Sequence, residues 1–260
     1  MKSPLILLLI SIASFFLLYF GFSKISPEIR FPEKSGTTNS FDTTFDTDLS
    51  KWKDSLSESN HQYVDLLEQQ IAQATDDSIQ RTLLEQLSGF WYNQGRVSMS
   101  AEYAYLIAEK FPTSDRWALA ATNFIIAAKQ PEVDPGDLTK WVEKAKHGFS
   151  QAIALDPDNV SLQLNQALIN VEFPSEGSPM NGILELRRLN ETYPDNTLVI
   201  YHLARLSIQT NQWDRAKERL QALIKLDPGF VRAYCLMAQV AQHDGDQLAF
   251  ENWSKKCVEK

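Results

Sequence analysis

Residues 196–228 read NTLVIYHLARLSIQTNQWDRAKERLQALIKLDP, and the fold is decided here because the stretch spells out two helices and a turn. In the first half, Leu203 and Ala204 form a large–small pair, the arrangement that lets a second helix cross closely. Asn211 and Gln212 make the turn. In the second half, Ala216, Leu220 and Leu223 recur at four and three residues, which places them on one helical face. Ala216 is small where the paired helices approach. Pro228 closes the unit, since it cannot continue a helix and disfavours helical backbone at the residue before it.

Working outward, prolines mark a phase. Pro194 and Pro228 are 34 residues apart, and Pro157 and Pro194 are 37 apart, a repeat with three residues inserted. Upstream, Ala145, Phe149, Ala152 and Pro157 read as a second helix of the same kind. Ala101, Tyr105, Ala108 and Pro112 do likewise, preceded by Gly89 and Tyr92 at the small and aromatic sites of a first helix. The last copy starts at Val231 and uses Tyr234, Met237, Ala238 and Gly245, then Ala249 and Trp253. The copy from Val160 to Pro194 diverges most: it keeps Ala167, Leu186 and Leu189 but expands its turn around Phe173-Pro174 and Gly177. A loop over 130–137 (QPEVDPGD) stretches the copy that contains Trp117, Ala121 and Phe124.

With a 34-residue period, phased prolines and small crossing residues, the pattern resembles the tetratricopeptide repeat. The resemblance implies an all-α chain: a right-handed α-solenoid of about five such helix pairs over residues 81–260, with leading helices over 47–80. It also implies that the first helix of each pair lines a concave groove that takes a protein or peptide partner. Carried over copy by copy, the groove positions fall on Phe90, Asn93, Thr122, Ile125, Leu164, Leu168, Tyr201, Arg205, Ile208, Arg232, Gln239 and His243. Aromatic, aliphatic and two arginine side chains suit an extended or helical peptide, and Arg205 and Arg232 suit a carboxylate. The family's chaperone-tail clamp uses lysine and asparagine, whereas Arg205 stands where an asparagine and Cys235 where a lysine belong, which disfavours that specificity. An N-terminal anchor, a tether, the repeats and the PMNGI stretch (Pro179–Ile183) together resemble membrane-anchored tetratricopeptide proteins of Bacteroidota, a group with no assigned activity.

The anchor is the uncharged run PLILLLISIASFFLLYFGF over residues 4–22. About 20 apolar residues span a bilayer core. A cleaved signal peptide is the competing reading, but Phe15, Phe16, Tyr19 and Phe20 occupy the end where a small-x-small cleavage site should sit. Residues 1–22 are therefore expected to form a single transmembrane helix. The flanking charges are few, and the short leading tail favours an extracytoplasmic, periplasmic soluble part. Residues 23–46, rich in Ser, Thr, Asp and Pro, read as a flexible tether.

Composition and motifs remove other functions. A net charge of −8, with no basic stripe, argues against nucleic-acid binding. His61, His147, His202 and His243 have no metal-ligand spacing, and no HExxH, GxSxG or Gly-rich phosphate loop is present, so neither catalysis, cofactor nor metal is expected. Asp76-Asp77 read as helix caps. Trp117 and Trp213 occupy helix-packing positions, and Trp52, Trp91, Trp141 and Trp253 fall on amphipathic helices. Cys235 and Cys257 would lie on the two helices of the last pair, at similar distances from Gly245. A disulfide is conceivable there; two unpaired thiols on helix faces is the plainer reading. The functional expectation is a membrane-anchored interaction scaffold. The alternative is an accessory subunit of a membrane-bound enzyme or an export or assembly complex.

Overall fold

The computed structural model describes residues 49–258 apart from 132 and 175–176. Residues 1–48, with the expected membrane span and tether, lie outside this range. Every regular element among the described residues is helical: α1 (Glu58–Gln73), α2 (Asp77–Asn93), α3 (Val97–Lys110), α4 (Ser114–Ala128), α5 (Pro135–Leu155), α6 (Val160–Glu172), α7 (Met180–Thr192), α8 (Thr197–Gln209), α9 (Trp213–Leu226), α10 (Val231–His243) and α11 (Gln247–Val258). No helix among them is long and apolar enough to cross a membrane. The chain forms two compact units whose boundary falls between Leu87 and Ser88, inside α2.

In the first unit, a short helical segment over 49–54 precedes α1, which buries Val64, Leu67 and Ile71. Lys53 bridges to Asp65 and Glu68, both at 2.7 Å. Asp76 caps α2 by accepting from the Ser78 and Ile79 N–H groups at 2.9 and 3.0 Å, the role its position suggested.

In the second unit, helices pack in antiparallel pairs, α4 on α5, α6 on α7, α8 on α9 and α10 on α11, and successive pairs pack on one another. The pairs share one set of end signals. Asn159, Asn196 and Asp246 each accept a hydrogen bond from a first-turn N–H of the helix that follows. The residue before each marker proline (Phe111, Asp156, Tyr193 and Asp227) donates its N–H to the carbonyl four residues back, at 2.8–3.0 Å, where the helix stops.

The close crossings are made by small residues. Ala204 and Ala216 are fully buried between α8 and α9, with Leu220 and Leu223 beside them. A Cβ on Gly148 would lie 3.0 Å from the Ala121 Cβ, so α5 crosses α4 there. A Cβ on Gly182 would meet the Ala167 carbonyl oxygen and the Val171 nitrogen, both at 2.6 Å, so α7 lies directly on the α6 backbone. That contact gives the PMNGI stretch a packing role.

Three expectations are corrected. In α2 the packed residues are Ser88 and Trp91, whereas Gly89 has open space around it and Tyr92 is half exposed. The Ser88 hydroxyl donates to the Ser100 carbonyl at 3.0 Å, so the crossing is one residue earlier than expected. A left-handed turn residue confirms the phase: Gly95, Asn211 and Gly245 each follow the crossing residues Ser88, Ala204 and Ala238 by seven. On α3, Ala101 and Ala108 are nonetheless buried. The loop over 130–137 is shorter than expected, because Asp134 accepts from Gly136 N–H at 2.8 Å and Pro135 opens α5. Finally, Cys235 and Cys257 form a disulfide between α10 and α11, with Cα atoms 4.9 Å apart, in place of two thiols.

Candidate functional site

The first helices of the second unit carry the residues that the repeat pattern assigned to a groove, and the structure treats them unequally. Leu164 is a core residue, 3% exposed, packed with Ala167, Leu186 and Leu203. Ile125, Leu168 and Ile208 are half-buried against the cores of their own pairs. Phe90 meets Trp91 edge-on at 5.3 Å, Asn93 is exposed, and the exposed Thr122 donates its hydroxyl to the Ala118 carbonyl of its own helix. Gln239 is exposed. His243 stacks on Trp213 at 4.0 Å.

Tyr201, Arg205 and Arg232 are brought together, and two residues that the sequence reading missed join them. The Arg232 guanidinium lies 5.0 Å from the Tyr201 ring and 5.2 Å from the Phe230 ring. Those two rings are 5.3 Å apart. Tyr201 also meets His202 edge-on at 5.2 Å. Burial first, then the charges of Arg205 and Arg232, pushes His202 down to about 4, with Glu172 opposing. At neutral pH the imidazole is therefore uncharged.

The electrostatics of this face are incomplete within the chain. The Arg205 Nε and His202 Nδ1 atoms are buried and have no hydrogen-bond partner among the described residues. Glu172, the carboxylate opposing them, is already bound to Lys129 at 2.6 Å. Among the described residues His202 makes no hydrogen bond. Two guanidiniums, a neutral imidazole and two aromatic faces can bind an acidic, partly apolar segment; they do not form an acid–base pair. The i,i+3 spacing of His202 and Arg205 was the signal that would have added His202. Phe230 was hidden because it precedes the helix, directly after Pro228-Gly229.

On the second helices, a separate cluster joins α3 to α5. The Tyr105 hydroxyl is 2.7 Å from His147 Nδ1, and Glu102 pairs with Lys144 and, at 3.7 Å, with Lys140. Burial, then Glu109 and Glu102, pushes Tyr105 up to about 12. Lys144 also lies 5.3 Å over the Tyr105 ring, so the cluster ties α3 to α5, although the buried Glu102 Oε1 has no hydrogen-bond partner among the described residues. Among the described residues, no group of three His, Cys, Asp or Glu side chains is placed to hold a metal.

A family model described as tetratricopeptide repeat matches residues 181–240, which hold the Tyr201–Arg205–Arg232 cluster. No curated protein matches the chain. Among solved structures, the chain is similar to a crystal structure of MamA, with 14% identity and a TM-score of 0.46 over 66% of this chain and 92% of that one. It is also similar to MamA 41-end from Desulfovibrio magneticus RS-1, with 14% identity and a TM-score of 0.48 over 70% and 95% of the two chains. For MamA AMB-1 the values are 17% and 0.42 over 70% and 91%.

Proposed function

We propose that this protein, which carries tetratricopeptide repeats, is a membrane-anchored interaction scaffold that holds a partner protein or peptide on the first-helix face of its last pairs. One observation carries the reading. Arg205 and Arg232 have no carboxylate partner among the described residues, and the Arg232 guanidinium lies over the Tyr201 and Phe230 rings. Guanidinium groups left without acceptors next to aromatic faces are the surface chemistry enriched at protein interfaces. Residues 4–22 supply the anchor in this reading, and the Cys235–Cys257 bridge supports placing the repeats in an oxidising, extracytoplasmic compartment.

The test is affinity capture of the full chain from its own membranes, as wild type and as Arg205→Glu with Arg232→Glu. The expected result is a partner retained by the wild type and lost by the double variant, with both proteins unfolding at the same midpoint. An unchanged set of captured partners removes this face as the binding surface and leaves the accessory-subunit alternative. Digestion by protease added to spheroplasts, whose outer membrane is opened, compared with lysed ones, tests the placement; protection in spheroplasts rejects it.

A further inference from the structure

Six of the ten arginines lie within residues 181–240 of a chain whose net charge is −8. None of the six forms an ion pair among the described residues. Arg205 and Arg232 belong to the first-helix face described above. Arg187, Arg215 and Arg219 gather elsewhere, on the second helices α7 and α9.

A recess of about 360 Å³ between α7, α8 and α9 is lined by Asn190, Pro194, Ile200, Arg215, Glu218, Arg219 and Ala222. Its volume lies near the lower end of the roughly 300–1,000 Å³ typical of small-molecule sites. The Arg219 Nη1 donates to the Ser207 hydroxyl, and the Arg215 Nη1 donates to the Gln212 Oε1 at 2.6 Å. A guanidinium has five N–H donors, so most of those on Arg215 and Arg219 have no acceptor among the described residues. Arg187 has no hydrogen bond or ion pair among the described residues. Burial first, then the charges of Arg187 and Arg215, pulls Arg219 below its usual range, with Glu218 opposing. Glu218 stands in the recess without an ion pair among the described residues. Counting Arg187 outside the lining, three guanidiniums and one carboxylate around Arg219 leave two positive charges uncompensated.

We propose that the recess lined by Arg215 and Arg219, with Arg187 near Arg219 outside its lining, binds a phosphate monoester with a small organic substituent. A monoester carries about −1.5 to −2 charges at neutral pH and presents three acceptor oxygens, which matches the charge and donor supply. A carboxylate, with one charge, would leave half of the excess unmet. Arginine's planar fork suits phosphate oxygens, and two such groups line the recess. Behind them Ile200, 5% exposed, with Ala222 and Pro194, gives the organic part an apolar seat, and the Asn190 amide adds a donor or acceptor.

Isothermal titration of the full chain in detergent, at fixed ionic strength, tests this with phenyl phosphate as the probe. Saturable one-to-one binding is expected. Benzoate, with the same ring and one charge, should bind at least about tenfold more weakly. Arg187→Gln with Arg215→Gln should weaken phenyl phosphate binding by at least about tenfold without changing the unfolding midpoint, because both side chains are exposed. Glu218→Gln, which removes the opposing carboxylate, should tighten binding. Absence of saturation, equal affinity for benzoate, or indifference to the arginine changes each overturns the proposal. Binding to phosphatidylglycerol vesicles that the arginine changes abolish, without a response to phenyl phosphate, overturns it in favour of a lipid phosphodiester.

Discussion

Replacing Gly182 with alanine tests the central packing statement, that α7 lies directly on the α6 backbone. The added Cβ would stand 2.6 Å from the Ala167 carbonyl oxygen and from the Val171 nitrogen, and 2.7 Å from the Val171 Cγ2. Two of these three atoms belong to backbone inside a helix, so no side chain can swing away to relieve the contact. To reach even 3.0 Å, α7 must retreat by about 0.4 Å, which loosens Leu186 and Leu189 against Ala167 and Leu203. Overpacking of this kind costs about 1–3 kcal/mol, and backbone on the opposing side places it in the upper half of that range. Against this, alanine in a helix interior is favoured over glycine by about 1 kcal/mol. The net effect is a loss of about 1–2 kcal/mol, or roughly 2–8 °C in melting temperature for a domain of this size. Gly89 supplies the opposite case: it is helical, and a Cβ there would meet nothing within 4 Å, so Gly89→Ala stabilises by about 0.5–1 kcal/mol. Gly148, with its nearest contact at 3.0 Å, falls between the two. Urea unfolding followed by far-UV circular dichroism measures the series. A Gly182→Ala protein that unfolds at or above the wild-type midpoint would refute the close-crossing argument.

Three other outcomes follow from the same structure. Changing Cys235 and Cys257 to serine opens a 22-residue loop, for which about 3 kcal/mol of stabilisation is expected, and α11 buries no residue of its own. Hydrogen exchange of α11 amides should accelerate on the order of a hundredfold while α6 and α7 stay protected; unchanged α11 protection removes the bridge as its fastener. His202 is pushed down to about 4, so between its unfolded value near 6.5 and that point the unfolded chain binds more protons. Stability is therefore full above pH 6.5 and falls on acidification towards pH 4, by about 1 kcal/mol once partial exposure is discounted; an NMR titration midpoint near 6.5 contradicts this. Glu102→Gln leaves Lys140 and Lys144, only 12% and 16% exposed, without their carboxylate and should cost about 2 kcal/mol in urea unfolding. Adding Lys144→Met should recover part of that loss, and no recovery would show that Lys144 is not the strained partner.

The repeat was legible where chemistry and phase coincide. In residues 196–228 the small residues Ala204 and Ala216 and the large Leu203, Leu220 and Leu223 all occupy the core positions their spacing predicts. In α2 residue type misled the reading. Gly89 and Tyr92 look more like a small–aromatic pair than Ser88 and Trp91 do, yet adjacent helical residues point about 100° apart, so only one pair can face the partner helix. The Ser88 hydroxyl resolves its own polarity by bonding the Ser100 carbonyl, which lets serine act as the small residue. Gly95 was visible as a turn glycine and, counted back seven residues, already pointed to Ser88. Gly182 was obscured by the three extra residues around Gly177, which shift its helix relative to Ala167. The disulfide was not legible, because the separation of two helical thiols depends on helix rotation, which spacing along the chain leaves open.

The binding face was legible by position but not by neighbourhood. Repeat phase predicts which side of a first helix a residue occupies, and it treated Leu164 and Arg205 alike. What separates them is the next pair. Leu164 is covered by α7 and by Val199 and Leu203 of the next pair, whereas Tyr201 meets Phe230 and Arg232, and Arg205 and Arg232 both act on His202. Cations in the earlier part of the chain are paired internally, as in Lys53 with Glu68, Lys140 and Lys144 with Glu102, and Lys129 with Glu172. Arginines from 187 to 232 are not. Arg205 and Arg219 are half-buried, and holding a guanidinium there without a carboxylate costs free energy. The cost is offset only if an anion arrives from outside, so the last two and a half pairs are where ligands are expected. The two arginine sets lie on different helices, α8 and α10 against α7 and α9, so a partner on one face need not displace a ligand on the other.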